Sequence, residues 1–149
     1  MKDRSAIHIA IVSSSYRPEV TDALDKHCLE TLRKEGIVKN DVTLVKVPGS
    51  LEIPLVARLL AGQKKYQAII CFGAIYKGKT YHFEQVANEC VRGCMNVAWE
   101  FEIPVIFEVL SVYDPQDALD RATGSEDNRG VEGAMTALRM IEIIRQIKK

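Results

Sequence analysis

Short apolar runs rich in β-branched residues alternate with segments of helical period along nearly the whole chain. That alternation constrains the fold more than any other feature. Ile7–Ser13 (IHIAIVS), Val42–Val47 (VTLVKV), Ala68–Phe72 (AIICF) and Val105–Leu110 (VIFEVL) read as strands. Between the first two, Val20, Ala23, Leu24, His27, Cys28, Thr31 and Leu32 recur at spacings of three and four, which predicts a helix ended by Gly36. Leu51–Leu60 reads as a helix with Pro54 in its first turn, where the missing N–H costs nothing. Tyr81–Glu100 is predicted helical, with Ala87, Val91, Cys94, Met95 and Ala98 on one face. Asp114–Ala122 is a short helix, Thr123–Gly130 a polar turn, and Val131–Ile147 the last helix. Strands separated by helices pair in parallel through right-handed crossovers, and strands this apolar are covered on both faces. The expectation is one domain over residues 1–149: a small doubly wound, flavodoxin-like α/β sandwich of three layers around a four-stranded parallel sheet.

Composition narrows the function classes. Twenty Lys and Arg balance twenty Asp and Glu, so the formal net charge is zero, and a dedicated nucleic-acid binder would carry a basic excess. No apolar run approaches the roughly 20 residues of a membrane-spanning helix, and Ile9–Val12 is too short for a signal-peptide core. The chain therefore reads as cytoplasmic, with no membrane partner. Cys28, Cys71, Cys90 and Cys94 all lie in apolar segments, which suits reduced core thiols. Cys90 and Cys94 could form half a metal site, but no second Cys/His pair has zinc spacing, so no metal is expected.

In such folds ligands bind outside the carboxyl ends of the strands. That rule marks Ser13–Arg17, Pro48–Glu52, Gly73–His82 and Leu110–Asp114. Gly73-Ala74-Ile75-Tyr76-Lys77-Gly78-Lys79-Thr80 matches the P-loop pattern, and its glycines, following helix and Lys79 suit an anion. Nucleotide hydrolysis would also need an acidic magnesium ligand at the end of a strand. Glu108 lies inside its strand and Asp114 well beyond it. A receiver-like domain would need acidic residues where Ser13, Ser14 and Ser15 stand.

Five blocks carry a resemblance. Val47-Pro48-Gly49-Ser50-Leu51-Glu52-Ile53-Pro54 resembles the V-P-G-[AS]-x-E-[IL]-P signature of lumazine synthases. Gly73 through Phe83 is similar to that family's G-x-[IV]-x-[RK]-G-x-T-x-H-[FY]. Ile103–Phe107, Asp120-Arg121-Ala122 and Asn128–Glu132 are similar to its later blocks, in collinear order from about Ile7 to Ile147. The resemblance implies a transferase of riboflavin biosynthesis that condenses 5-amino-6-ribitylaminouracil with 3,4-dihydroxy-2-butanone 4-phosphate, releasing phosphate and water. It implies no cofactor. It also implies a homopentamer with active sites between subunits, a decamer or a shell of twelve pentamers in some members, and an association with riboflavin synthase.

The resemblance also assigns roles. Tyr16 would stack on the pyrimidine, and Ser50 and Glu52 would hold the ribityl chain. Backbone groups of Ala74, Ile75 and Tyr76 would read the pyrimidine edge. Lys79 and Thr80 would take the phosphate, with Arg121 arriving from a neighbouring subunit as a bidentate clamp. His82 would shuttle protons, work suited to an imidazole whose ordinary pKa is about 6.5. Phe107 and Arg129 would cover the heterocycle, with Glu132 beside the clamp. His8 and His27 read as structural, and Trp99 as core or subunit contact. Arg17, Lys77, Lys79, Arg121 and Arg129 would together form a basic patch for one small phosphate ester.

Four departures from the family pattern stand out: Tyr16 for Phe or Trp, Arg17 and Lys79 for smaller or acidic residues, and Ser125-Glu126-Asp127 for Lys-Ala-Gly. That last linker, and an arm that is short here before Ile7, help pentamers meet in shell-forming relatives. Two alternatives are a P-loop-type nucleotide binder and a non-catalytic flavin- or lumazine-binding module of the same fold. Thr80, His82 and Arg121 favour the enzyme.

Overall fold

The computed structural model describes Arg4 and residues 6–149. The short segment ahead of Ile7 therefore lies largely outside the described residues. Four parallel strands, β1 (Ile9–Ser14), β2 (Val42–Val47), β3 (Ala68–Tyr76) and β4 (Val105–Val112), form one sheet in the order β2-β1-β3-β4. Among the described residues five α-helices accompany them: α1 (Pro18–Lys34), α2 (Ile53–Gly62) and α3 (His82–Phe101) connect successive strands, and α4 (Pro115–Thr123) and α5 (Arg129–Ile147) follow β4. Chain direction reverses its lateral step between β1 and β3, which is the switch point where a doubly wound sheet opens a crevice.

Alternation along each strand sorts the core into two layers. Ile9, Ile11, Ile70, Phe72, Ile106 and Leu110 face α1, α4 and α5, whereas Ala10, Val12, Ile69, Cys71 and Val109 face α2 and α3. All four cysteines are free and buried, as their apolar settings predict.

Most element boundaries fall within two residues of the sequence reading. One does not. β3 runs to Tyr76 rather than stopping at Phe72, because Gly73–Tyr76 pair with Val109–Val112 of β4. This overturns the P-loop comparison. Only Lys77–Tyr81 remain between strand and helix, so the first glycine of the pattern sits in the sheet and cannot open a phosphate-cradling loop. Gly73 has a different task there: a Cβ would lie 2.5 Å from Ser50 Oγ and 3.2 Å from Val109 Cγ1. Its bare backbone lets the Ser50–Glu52 turn settle on the sheet.

One further limit, the start of α5, moves for a local reason, and one burial expectation changes. Asn128 caps α5, its Oδ1 accepting from the N–H groups of Gly130 and Val131, so Arg129 and Gly130 are helical rather than part of the turn. Trp99 is 72% exposed, which removes the core reading for it.

The α2–α3 contact sets the height of the Ser50 turn. Pro54, in the first turn of α2, lies so close to Gly93 of α3 that a Cβ there would stand 2.7 Å from the proline ring. A proline ring cannot swing aside. Gly93→Ala should therefore cost about 1–3 kcal/mol despite the helix propensity of alanine. Urea unfolding checks this: the midpoint falls with the slope unchanged.

Candidate active site

A cavity of about 510 Å³ opens at the carboxyl ends of β1 and β3, beneath the turn that follows β2. Tyr16, Ser50, Glu52, Ala74, Ile75, Tyr76, Thr80 and His82 all line it. Sequence reasoning had nominated each of these from segments scattered over 67 positions (16 to 82), and the fold brings them together. Smaller cavities of about 300 and 440 Å³ lie at the opposite end of the sheet and contain none of the nominated residues.

Each wall has a local cause. Tyr16 follows β1 and is 70% exposed, presenting a free aromatic face. Arg17 lies between rings, its guanidinium carbon 4.8 Å from the Tyr16 centroid and 4.2 Å from that of Tyr76. Stacking of this kind fixes an otherwise mobile tyrosine. Tyr76 O–H donates to Glu19 at 3.3 Å.

The Ser50 turn is pinned from below by Cys90, whose thiol donates to the Ser50 carbonyl at 3.1 Å. Hydrogen bonding with Cys94, then burial, pushes the Cys90 thiol up, so it remains a donor. The Ser50 hydroxyl is buried in the cavity wall with no protein hydrogen-bond partner. Glu52 is exposed at the rim.

Thr80 Oγ1 accepts from the His82 N–H at 3.4 Å, setting the entry into α3, and His82 stands exposed at its first residue. Lys77 pairs with Glu84 and holds that carboxyl below its usual range.

The remaining nominated residues lie elsewhere. Lys79 is exposed next to the cavity but outside its lining. Phe107 is half-buried in β4 and packs on the α2–α3 side. Arg121 and Arg129 sit at the junction of α4 and α5, each within 4 Å of Asp127. The five cations foreseen as one basic patch are therefore divided within a single chain. Arg17 lines the cavity, Lys77 and Lys79 lie beside it but outside its lining, and Arg121 and Arg129 are among carboxylates at the α4–α5 junction.

Phe83 and Val86 also line the cavity and had not been assigned to it. Their i, i+3 spacing at the start of a helix that follows a site loop was the available signal. Glu108 was dismissed as lying inside a strand. It is 7% exposed, faces the α5 side, and lies 3.9 Å from Arg129. Burial, with a hydrogen bond to Glu132, pushes its carboxyl up to about 8.

Fold and cavity define a flavodoxin-like α/β protein whose crevice lies at the sheet's switch point. The sequence profile of the 6,7-dimethyl-8-ribityllumazine synthase family matches residues 6–145. Two curated relatives of that name, from Coxiella burnetii strains CbuG_Q212 and RSA 493, are each 39% identical over 144 residues, covering 97% of this chain and 95% of theirs. Among solved structures, a de novo designed Rossmann-fold protein aligns with a TM-score of 0.41 at 14% identity, over 76% of this chain and 91% of its own. The fold assignment rests instead on the strand order itself. The chain belongs to the 6,7-dimethyl-8-ribityllumazine synthase family, transferases of riboflavin biosynthesis.

Glu108 makes stability depend on pH in a defined direction. Its carboxyl is raised from 4.5 to about 8, so over that interval the folded chain keeps a proton that the unfolded chain has released. The contribution is fully present below pH 4.5 and is lost as pH rises through about 8. Glu108→Gln mimics the neutral acid. It should match the parent near pH 5 and exceed it by about 1–2 kcal/mol near pH 9. Urea titrations at both pH values check this.

Proposed function

We propose that the cavity is one half of a lumazine synthase active site, completed by Phe107, Arg121 and Arg129 of an adjacent copy. The observation that carries the reading is the split itself. Tyr16, Ser50, Glu52, Thr80 and His82 converge on one cavity, while Phe107, Arg121 and Arg129 lie outside its lining. Two different patches of the same chain that need each other make a heterologous contact, which closes into a ring when its rotation divides a full turn and runs on as a filament when it does not. The family resemblance supports a ring of five.

The outer face of the α2–α3 layer supports association. Leu51, Leu55 and Leu59 recur every four residues and are 48–63% exposed, and Val91 and Trp99 continue the apolar surface on α3.

In the proposed reaction the pyrimidine stacks on Tyr16, with its edge on the backbone of Ala74, Ile75 and Tyr76. Its ribityl hydroxyls meet Ser50 and Glu52. Thr80, with Lys79 beside it and Arg121 from the neighbour, receives the phosphate ester. The 5-amino group adds to the ketone carbonyl and water leaves, giving an imine. Elimination of phosphate leaves an enol at the neighbouring carbon, its tautomerisation gives a second ketone, and attack of the ribityl-bearing nitrogen on that carbonyl with release of water closes the ring. Every stage moves a proton, and His82 at the cavity mouth is the group placed to move it. No step needs net oxidation or reduction, in keeping with an enzyme that uses no cofactor. A cytoplasmic location fits the four free thiols, and among the described residues no helix is long and apolar enough to cross a membrane.

Purified protein given both substrates should form a fluorescent lumazine. His82→Ala should lower kcat by about a hundredfold. Arg121→Ala should instead raise KM for the phosphate-bearing substrate by about tenfold or more, as for a lost charge-assisted hydrogen bond. Light scattering should return a pentamer or a multiple of it. A monomer at micromolar concentration would contradict the shared site.

A further inference from the structure

The turn between α4 and α5 is fixed at both ends. Gly124 N–H donates to Asp120 O at 3.0 Å, and Asn128 Nδ2 donates to Gly124 O at 2.9 Å while its Oδ1 caps α5. Inside that frame Asp127 adopts φ 48°, the left-handed region where glycine is at ease and a side chain is strained. Its carboxylate spans two guanidiniums, with Oδ1 3.0 Å from Arg129 Nε and Oδ2 3.8 Å from Arg121 Nε. Two cationic side chains from two different helices are thereby tied through one anion. Of the other acids nearby, Asp117 reaches Arg121 from one helical turn earlier, Glu132 reaches Arg129 from one turn later, and the buried Glu108 of β4 lies 3.9 Å from Arg129. Arg121 Nη1 is engaged by the Asp117 carbonyl at 2.9 Å.

We propose that Asp127 is a positioning residue that stands in for the substrate's phosphate. It holds Arg121 and Arg129 at the separation one anion can bridge, and it is displaced when the phosphate ester arrives. This rests on the reading of Arg121 as the phosphate clamp. The charge balance gives the exchange its sign. Asp117, Asp127 and Glu132 already outnumber the two guanidiniums, so an incoming phosphate meets a neutralised clamp. Asp127 is the member of the set that touches both arginines. Its carboxylate is 58% exposed, so it can swing to water without opening the core. The device trades affinity for order, keeping the arginines spread before substrate binds while weakening the hold on free phosphate, which is also a product of the reaction.

The test uses the assembled protein and inorganic phosphate as probe, with Kd measured by calorimetry. Asp127→Asn and Asp127→Gly should each bind phosphate about fivefold more tightly, the scale for removing one like charge at about 4 Å near water. In steady state KM for the phosphate-bearing substrate should fall with them, and KM for the pyrimidine, which Arg129 covers, should change by less. A general loosening of the turn would raise both. Asp127→Gly also relieves the left-handed backbone and should raise Tm relative to Asp127→Asn, so tighter binding there cannot reflect a damaged fold. Asp117→Asn, which removes a carboxylate reaching Arg121 alone, should have the smaller effect. Unchanged or weaker phosphate binding in both Asp127 variants overturns the inference. Arg121→Ala separates the two levels. If it weakens phosphate binding while the Asp127 variants leave it unmoved, only the stand-in role fails. If it too leaves phosphate binding unmoved, the assignment of the phosphate clamp fails.

Discussion

The nine-residue strand β3 lies between β1 and β4, and the rest of the structure depends on its pairing on both sides. Its last four residues bond only to β4, so they extend past the end of β1 and form the cavity floor. Gly73 opens that stretch. Without a Cβ it admits the Ser50 hydroxyl, and the Ser50 carbonyl is then caught by Cys90 from α3. One backbone thus sets the positions of three elements that contribute to the cavity: the strand, the turn after β2 and the first turns of α3. The Gly93–Pro54 contact reinforces this from the other side by fixing α2 against α3.

Electrostatics divide the chain into two regions of different character. The cavity has few unpaired charges, since Arg17 is stacked on aromatic rings and Lys77 is paired with Glu84. The α4–α5 junction gathers Arg121, Arg129, Asp117, Asp127, Glu132 and a buried Glu108 that holds its proton to about pH 8. Bringing the second region of one copy against the first of another would supply the cavity with guanidiniums that its own chain does not place there. A formal net charge of zero conceals this arrangement.

The α/β class was legible because two periodicities, near two and near 3.6, alternate down the chain and leave few alternatives. The cavity wall was legible in part for the same reason: the carboxyl-end rule marks segments 13–17, 48–52 and 73–82, and the family resemblance singles out Tyr16, Ser50, Glu52, Thr80 and His82 within them, while the fourth marked segment, 110–114, lies outside the cavity lining. The end of β3 was not legible, because Gly73-Ala74 carries little strand propensity and only the pairing with β4 holds it extended. Arg129 and Gly130 read as turn because Gly130 breaks helices, yet the Asn128 cap outweighs it. The company kept by Arg121 and Arg129 was beyond reach as well. Asp127 is a loop residue in sequence, and its two contacts come from φ 48° and the fixed ends of its turn.

The central claim, that each site draws on two chains, is tested most directly by mixing two impaired variants and assaying them with the phosphate-bearing substrate well below its KM, where a raised KM shows as a lost rate. His82→Ala lacks the proton carrier of one half and Arg121→Ala the clamp of the other. After co-dissociation and reassembly in equal amounts, about one interface in four should unite two intact halves, because contacts in a heterologous ring pair the halves at random. Lumazine formation should then recover to about a quarter of the parent rate, although neither variant alone approaches it. A mixed assembly, shown by mass spectrometry to contain both chains, that stays as impaired as its parents would contradict the shared site.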